Sequence, residues 1–420
     1  MNCKRKLLIY SDCYIYGGSE RLMSFLIKNP LIQENYNITF AYRNHKIYQN
    51  GINKEFNDQE KGELLFPVSI ISNSTLIYKI NLTKFPVIFK LILKSILILI
   101  DITRIYSCYN IISHIITIKK ILPDIIHINN GGYPGAKSCN SMVLAAKLLH
   151  IKHIVYQINN IAQKRTGLFD RQIDHFINKS ISCFITASKL ASDKLIKERK
   201  FQVTKIKQLP NTVIDESPTL SRVELLYDLS INPSDFILCT VGFLTKRKGQ
   251  QFLLEALYQI SQKQPEIFEN IRLILVGDGE ERQFLLDFVE KHKLVSNVFF
   301  IGYQSRSINY INACDVFVLP SIANEDMPLV VLSAMSKGKT IIATDFAGIR
   351  EEIENGVSGI LISPKIDTIA IDLANKIVEL YKNRDYLFGE EANKRFNNLF
   401  SNQVYGQALI NIYNSTLNEK

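Results

Sequence analysis

Seven cysteines stand singly in the 420 residues, at 3, 13, 108, 139, 183, 239 and 314, and no two form a Cys-x-x-Cys pair. That argues against a disulfide framework or a cysteine zinc site and fits a reducing compartment. No apolar run reaches the roughly 20 residues that a spanning helix needs. The opening MNCKRKLLIYSD is basic, but its apolar run of four residues is too short for a secretory signal, so a first strand in the cytoplasm is expected. No zinc-finger, homeodomain or RNP-like pattern is present to read nucleic acid. Nor is there an Asp-x-Asp set to hold a metal, and no side chain stands out as a nucleophile.

What is present belongs to a globular protein: 46% hydrophobic residues with 12 prolines and 19 glycines. The length allows two or three domains, each with its own core. A formal charge of +10 points to polyanionic partners, an anionic lipid surface or a phosphorylated ligand, unless the lysines are merely solvated. The segment 86–106 sharpens that choice. Between 85 and 100 only Lys90 and Lys94 are charged. Read as one helix, Lys90, Lys94, Asp101 and Arg104 fall within an arc of roughly 80°. Two readings stay open: a helix buried in its domain with lysines reaching solvent, or an interfacial helix in a membrane with snorkelling lysines.

Taken in order, the chain alternates short apolar runs with helical patterns. A strand at 4–10 leads into Gly17-Gly18 and a helix near Glu20, with Ser19 placed to cap it. A glycine pair there lets backbone approach a ligand beside open helix amides. A strand follows at 37–42, while 43–84 carries no clear pattern. Residues 124–129, 138–149 and 153–157 form a β-α-β unit, with His127 in its first strand and Asn159-Asn160 after the second. Pro, Asn and acidic residues at 211–217 interrupt the pattern and mark a domain boundary. Beyond it, FILCTVGFLTKRKGQQF reads strand, basic loop, helix, with Lys246, Arg247 and Lys248 before Gly249. A Gly-Asp-Gly turn at 277–279 and Gly302-Tyr303 each end a strand.

The stretch 320–359 is the most informative. VFVLP is a buried-strand run. Glu325-Asp326 stand at its carboxyl end, a helix is expected over 327–337 with Pro328 in its first turn, and TIIAT begins the next strand. Helix amides beside the end of a parallel strand suit phosphate. An acidic residue at such a place suits ligand hydroxyls instead. Two helices are expected after Pro364, the last at about 399–416.

These residues resemble the glycosyltransferase group 1 family, retaining, family 4-like sugar-nucleotide transferases of the GT-B fold. The family's Glu-x7-Glu pattern begins at Glu325, and Ser333 stands at its second glutamate. Its Gly-Gly-x-x-Glu turn is Ala347-Gly348-Ile349-Arg350-Glu351. Its Gly-Arg-Leu-x-x-x-Lys-Gly run matches at Gly242, Leu244, Lys248 and Gly249, with Phe243 replacing the arginine. Its first loop matches at Gly17, Gly18, Glu20 and Arg21. Where the family has a histidine near the reacting sugar, Asn159 stands.

The resemblance implies an α/β, GT-B architecture of two doubly wound Rossmann-like domains facing across a cleft. Residues 1–212 form the acceptor-side domain, with 399–420 crossing back to it, and 213–398 the nucleotide-sugar domain. It implies a retaining, metal-independent transfer from a nucleotide-diphosphate sugar to a glycan or lipid-linked acceptor, in cell-surface polysaccharide synthesis. No cofactor and no nucleic acid take part. Glu325 and Lys248 are the catalytic pair. Gly17, Gly18, Arg247, Gly277, Tyr303, Met327, Pro328, Leu329, Val330 and Ser333 bind donor, with Glu351 a candidate to replace the missing glutamate. The chain is placed in the cytoplasm, with the inner membrane face open through 86–106. A non-catalytic binding subunit and a sugar-nucleotide epimerase of the same fold are the alternatives.

Overall fold

Buried parallel strands favour side chains that are apolar on both faces, and the runs FILCTV and TIIAT supply them almost throughout. IIHINN and HIVYQI are nearly as deeply placed but bury His127, Asn129, Asn130 and Gln157 among their apolar residues. A computed structural model describes residues 4–13, 16–102, 104–167, 169–323, 325–384 and 388–418. The chain divides into two compact units, one of residues 1–209 with 406–420, the other of residues 210–405.

The first unit holds a seven-stranded parallel sheet: β1 (Arg5–Ser11), β2 (Tyr36–Arg43), β3 (Leu65–Val68), β4 (Ile125–Asn130), β5 (His153–Ile158), β6 (Cys183–Thr186) and β7 (Ile206–Gln208). Its order is β3-β2-β1-β4-β5-β6-β7. The segment 43–84, unpatterned in sequence, supplies β3 and the helices Lys46–Glu55, Asp58–Leu64 and Asn73–Leu82. The last helix of the chain, Asn402–Asn418, returns here. Its Tyr413 hydroxyl lies 2.6 Å from His127 Nδ1, and the Thr416 carbonyl accepts from His153 Nδ1 at 2.9 Å.

The second unit holds six parallel strands: β8 (Phe236–Val241), β9 (Ile271–Val276), β10 (Val298–Gly302), β11 (Val316–Leu319), β12 (Thr340–Thr344) and β13 (Ile360–Ile362), ordered β10-β9-β8-β11-β12-β13. The strand order reverses between β8 and β11, and ligands of open α/β sheets gather outside the carboxyl ends of strands at such a switch point. The basic loop follows β8 and the acidic turn follows β11, so both end up there.

The structure corrects several boundaries. The expected 86–106 helix is broken: Val87–Ile102 ends, Arg104 takes a left-handed φ of 60°, and Ile105–Ile121 begins anew. Thr103 lies outside the described residues. Lys90 and Lys94 are only half-exposed, and Lys90 Nζ donates to the Asn81 carbonyl at 3.2 Å, while Val87, Ile88 and Leu99 face outward. The helix after the acidic turn is shorter than expected, Leu329–Ser336 with Pro328 as its N-cap. Ser19 does not cap the first helix. Gly17 holds that position, its N–H donating to Glu20 at 3.1 Å, and the Ser19 hydroxyl binds the same carboxylate. Among the described residues three helices follow Pro364: Ile366–Lys382, Gly389–Leu399 and Asn402–Asn418.

Candidate active site

Two backbone constraints hold the basic loop against the end of β11. The Ile322 N–H donates to the Arg247 carbonyl at 2.8 Å. Gly249, at φ 69°, passes so close to the Pro320 carbonyl that a Cβ would lie 2.1 Å from its oxygen, so no other residue fits without moving backbone. Arg247 and Lys248 are therefore carried to the acidic turn. Both reach Glu325 Oε1, Arg247 through Nη1 at 2.8 Å and Lys248 through Nζ in direct contact. Glu325 and Lys248 are 7% and 8% exposed. A buried pair of this kind is held by mutual charge; removing one partner strands the other.

The acidic turn is itself pinned. Asn211 Nδ2 donates to the Met327 carbonyl at 2.8 Å. The Ala347-Gly348 turn lies directly on Asp326, since a Cβ on Gly348 would meet the Asp326 carbonyl at 2.4 Å. Past that turn comes Glu352, which sequence reasoning missed. It is fully buried, and neither carboxyl oxygen has a hydrogen-bond partner. Burial, then the charges of Asp326, Glu325 and Glu351, push its pKa well above the usual carboxylate range, with Lys248 acting against them. A neutral acid thus underlies the charged turn. Glu351, the residue singled out in sequence, is the more exposed of the two.

Among the donor-site residues expected in this unit, Lys248, Arg247 and Glu325 converge. Met327 is buried behind them, and Leu329 and Val330 open the helix, whereas Pro328 has no N–H to offer an anion. Ser333 donates its hydroxyl to the Leu329 carbonyl at 3.0 Å, inside its own helix. Gly277 is required by backbone: at φ 142° a Cβ would sit 1.9 Å from the Gly242 carbonyl. Its N–H donates to the Gly302 carbonyl at 2.8 Å, next to Tyr303, which is 60% exposed. Phe243 is exposed as well.

Gly17 and Gly18 belong to the first unit. Beneath them Glu20 is buried and its pKa is raised by desolvation, although it accepts from Gly17 N, Ser19 and Ser11. Asn129 Nδ2 also donates to Ser11 at 2.9 Å, and Asn159 Nδ2 donates to Asn129 at 2.5 Å. The Asn159 amide oxygen accepts from Gln157, which faces His127 Nε2 at 3.0 Å. His127 is fully buried between Gln157 and Tyr413, and burial pushes its pKa down to about 4, so the imidazole is neutral and held in place. Among the described residues no cluster of three or more His, Cys, Asp or Glu side chains has the arrangement of a metal site.

Residues 224–398 match the family model of the glycosyl transferases group 1. An Escherichia coli UDP-Gal:alpha-D-GlcNAc-diphosphoundecaprenol alpha-1,3-galactosyltransferase is 26% identical over 271 residues, covering 62% of this chain and 68% of that protein. The first relatives matched are covered only in part, 32% and 48% of two uncharacterised Methanocaldococcus jannaschii glycosyltransferases. Two crystal structures share the fold at 18% identity: a Rickettsia africae glycosyltransferase (TM-score 0.76, 99% of this chain and 100% of that one) and Anabaena HepE in complex with UDP (TM-score 0.73, 98% and 100%). The likeness is one of fold, two parallel-sheet α/β domains of the GT-B type.

Proposed function

We propose that this chain, whose residues 224–398 match the family model of the glycosyl transferases group 1, moves a sugar from a nucleotide-diphosphate donor to a glycan or lipid-linked acceptor. The carrying observation is the convergence of Arg247 and Lys248 on one carboxylate at the switch point of the second sheet. The departing nucleoside diphosphate needs charge stabilisation, and two cations at a buried strand end supply it without calling on a metal or cofactor. Arg247 takes the part of the arginine that Phe243 replaces. The N–H groups of Leu329 and Val330 at the helix start add to it.

In this reading Glu325 holds the donor sugar's hydroxyls and steadies positive charge growing on the ring. The bond from the anomeric carbon to the phosphate oxygen breaks, and a bond to the acceptor oxygen forms on the same face, so configuration is retained. The acceptor proton passes to the leaving phosphate oxygen. Ser333 carries no charge and is engaged with its own helix, so the phosphates and sugar dominate donor binding. The name of the Escherichia coli relative, a diphosphoundecaprenol galactosyltransferase, supports a lipid-linked acceptor, and the proposal adds a part in cell-surface polysaccharide synthesis.

The same proposal places the protein at a membrane surface through the helices 87–102 and 105–121. No helix among the described residues is long and apolar enough to cross a membrane. The lysines of the first helix are less exposed than Val87, Ile88 and Leu99, and in this reading the outward apolar side chains make the contact.

Thermal unfolding in the presence of UDP-, GDP- and ADP-sugars tests the donor site. At 100 times its dissociation constant the right donor adds about 2.7 kcal/mol. Lys248→Ala is expected to lose that stabilisation and to cut transfer about a hundredfold or more. A full donor-induced shift in Lys248→Ala would refute the placement.

A further inference from the structure

Glu325 takes two of the three cations of the basic loop, Arg247 and Lys248, through a single oxygen. The loop cannot retreat from it, because Gly249 abuts the Pro320 carbonyl and Ile322 N–H holds the Arg247 carbonyl. The turn cannot retreat either, because Asn211 ties down the Met327 carbonyl and Gly348 lies on Asp326. The acids near this pair are Asp326, next to Glu325 in sequence, with Glu351 and the buried, proton-holding Glu352 on the following turn. One carboxylate oxygen thus already engages the two cations that the donor-site reading assigns to the diphosphate.

We propose that Glu325 discriminates an intact sugar nucleotide from a free nucleoside diphosphate, by competing with the diphosphate for Arg247 and Lys248. The inference rests on the donor-site reading above. A diphosphate entering the site meets a carboxylate already on its cations, and two anions cannot share them without repulsion. Glu325 must turn away. An intact donor compensates, because its sugar hydroxyls donate to the turned carboxylate through charge-assisted hydrogen bonds. A nucleoside diphosphate has no sugar to offer. Once the sugar has left, Glu325 returns to Lys248 and Arg247 and drives the product out. The glutamate therefore acts twice, on the sugar before transfer and against the product after it.

Inorganic pyrophosphate is the probe, because it carries the charge without a base or sugar; UDP and GDP are titrated beside it at fixed salt on the full chain. Glu325→Gln keeps the shape and removes the charge. It is expected to bind pyrophosphate about tenfold more tightly than the parent, and to bind whichever nucleotide the parent accepts more tightly by a similar factor. Unchanged or weaker binding overturns the proposal. Glu325→Ser, with the same expectation, serves if the glutamine variant does not fold. Lys248→Ala with Arg247→Ala separates the two levels. Loss of pyrophosphate binding in that pair, with no gain in Glu325→Gln, keeps the donor site and rejects the competition. Undiminished binding in that pair rejects the donor site and the competition with it.

Discussion

At the scale of single residues, Glu352 shows how a site stores a constraint that its sequence does not advertise. A buried carboxyl without hydrogen-bond partners persists by keeping its proton. The sign of the consequence is definite. Between the unfolded pKa, near 4.3, and the raised folded one, the native state holds a proton that the unfolded chain has released. Stability then falls as pH rises through that window. Glu352→Gln imitates the protonated acid, so it is expected to raise Tm at pH 8 and to change it little at pH 4. Each kcal/mol recovered is worth about 2–4 °C in a chain with domains of this size. Melting curves at both pH values check this, and an equal shift at the two would show that packing rather than the proton governs the site.

At the scale of elements, the helices 87–102 and 105–121 reverse the usual arrangement of a surface helix. Val87 and Ile88 are more than 70% exposed, and Leu91, Ile98, Leu99, Ile105 and Ile112 all face outward. The polar groups are engaged within the protein: Lys90 on the Asn81 carbonyl and Asp101 with Lys137 at the surface, and the buried Asn110 exchanging hydrogen bonds with the backbone of Ile71. An apolar patch of this extent on a protein surface marks an interaction site. Burying one such side chain contributes about 1.5–3 kcal/mol. Ile88→Gln, Leu91→Gln and Leu99→Gln together are therefore expected to weaken vesicle binding about a hundredfold or more, leaving donor binding intact. Lys90→Glu with Lys94→Glu should do less, since those lysines do not lead the contact. Sedimentation with vesicles distinguishes the two variants, and equal binding by the triple glutamine variant and the parent would remove the membrane from the picture.

At the scale of the whole molecule, the surplus of positive charge is uneven. Residues 73–122 contain seven basic side chains (Lys79, Lys84, Lys90, Lys94, Arg104, Lys119 and Lys120) and one acidic, Asp101, a net of +6 from 7 − 1, out of the chain's +10. The apolar face and most of the charge thus share one part of the chain, as an anionic lipid surface would require. Anionic lipid is expected to strengthen binding to vesicles, and raising salt from 0.1 to 0.5 M to remove that gain while leaving binding to neutral vesicles in place. If neither lipid charge nor salt alters affinity, the basic residues are simply solvated.

The sequence alone determined a good deal. Apolar runs bounded by turn residues and alternating with helical patterns leave few options besides parallel sheets, and the chain forms two. Gly249 after three basic residues and Glu325 after VFVLP located the basic loop and the acidic turn, because strand ends are local features. Tertiary structure alone decided the rest. Whether Glu351 or Glu352 is the buried acid depends on how the short helix Ile349–Glu352 packs over Asp326. Asn211 reaches Met327 across 116 residues, and His127 is clamped by Tyr413 across 286. The stripe Lys90, Lys94 and Asp101 was legible as a stripe, but not as the less exposed face of its helix. A periodic pattern fixes which residues share a face; which face meets the body depends on what the neighbouring helices and carbonyls offer it.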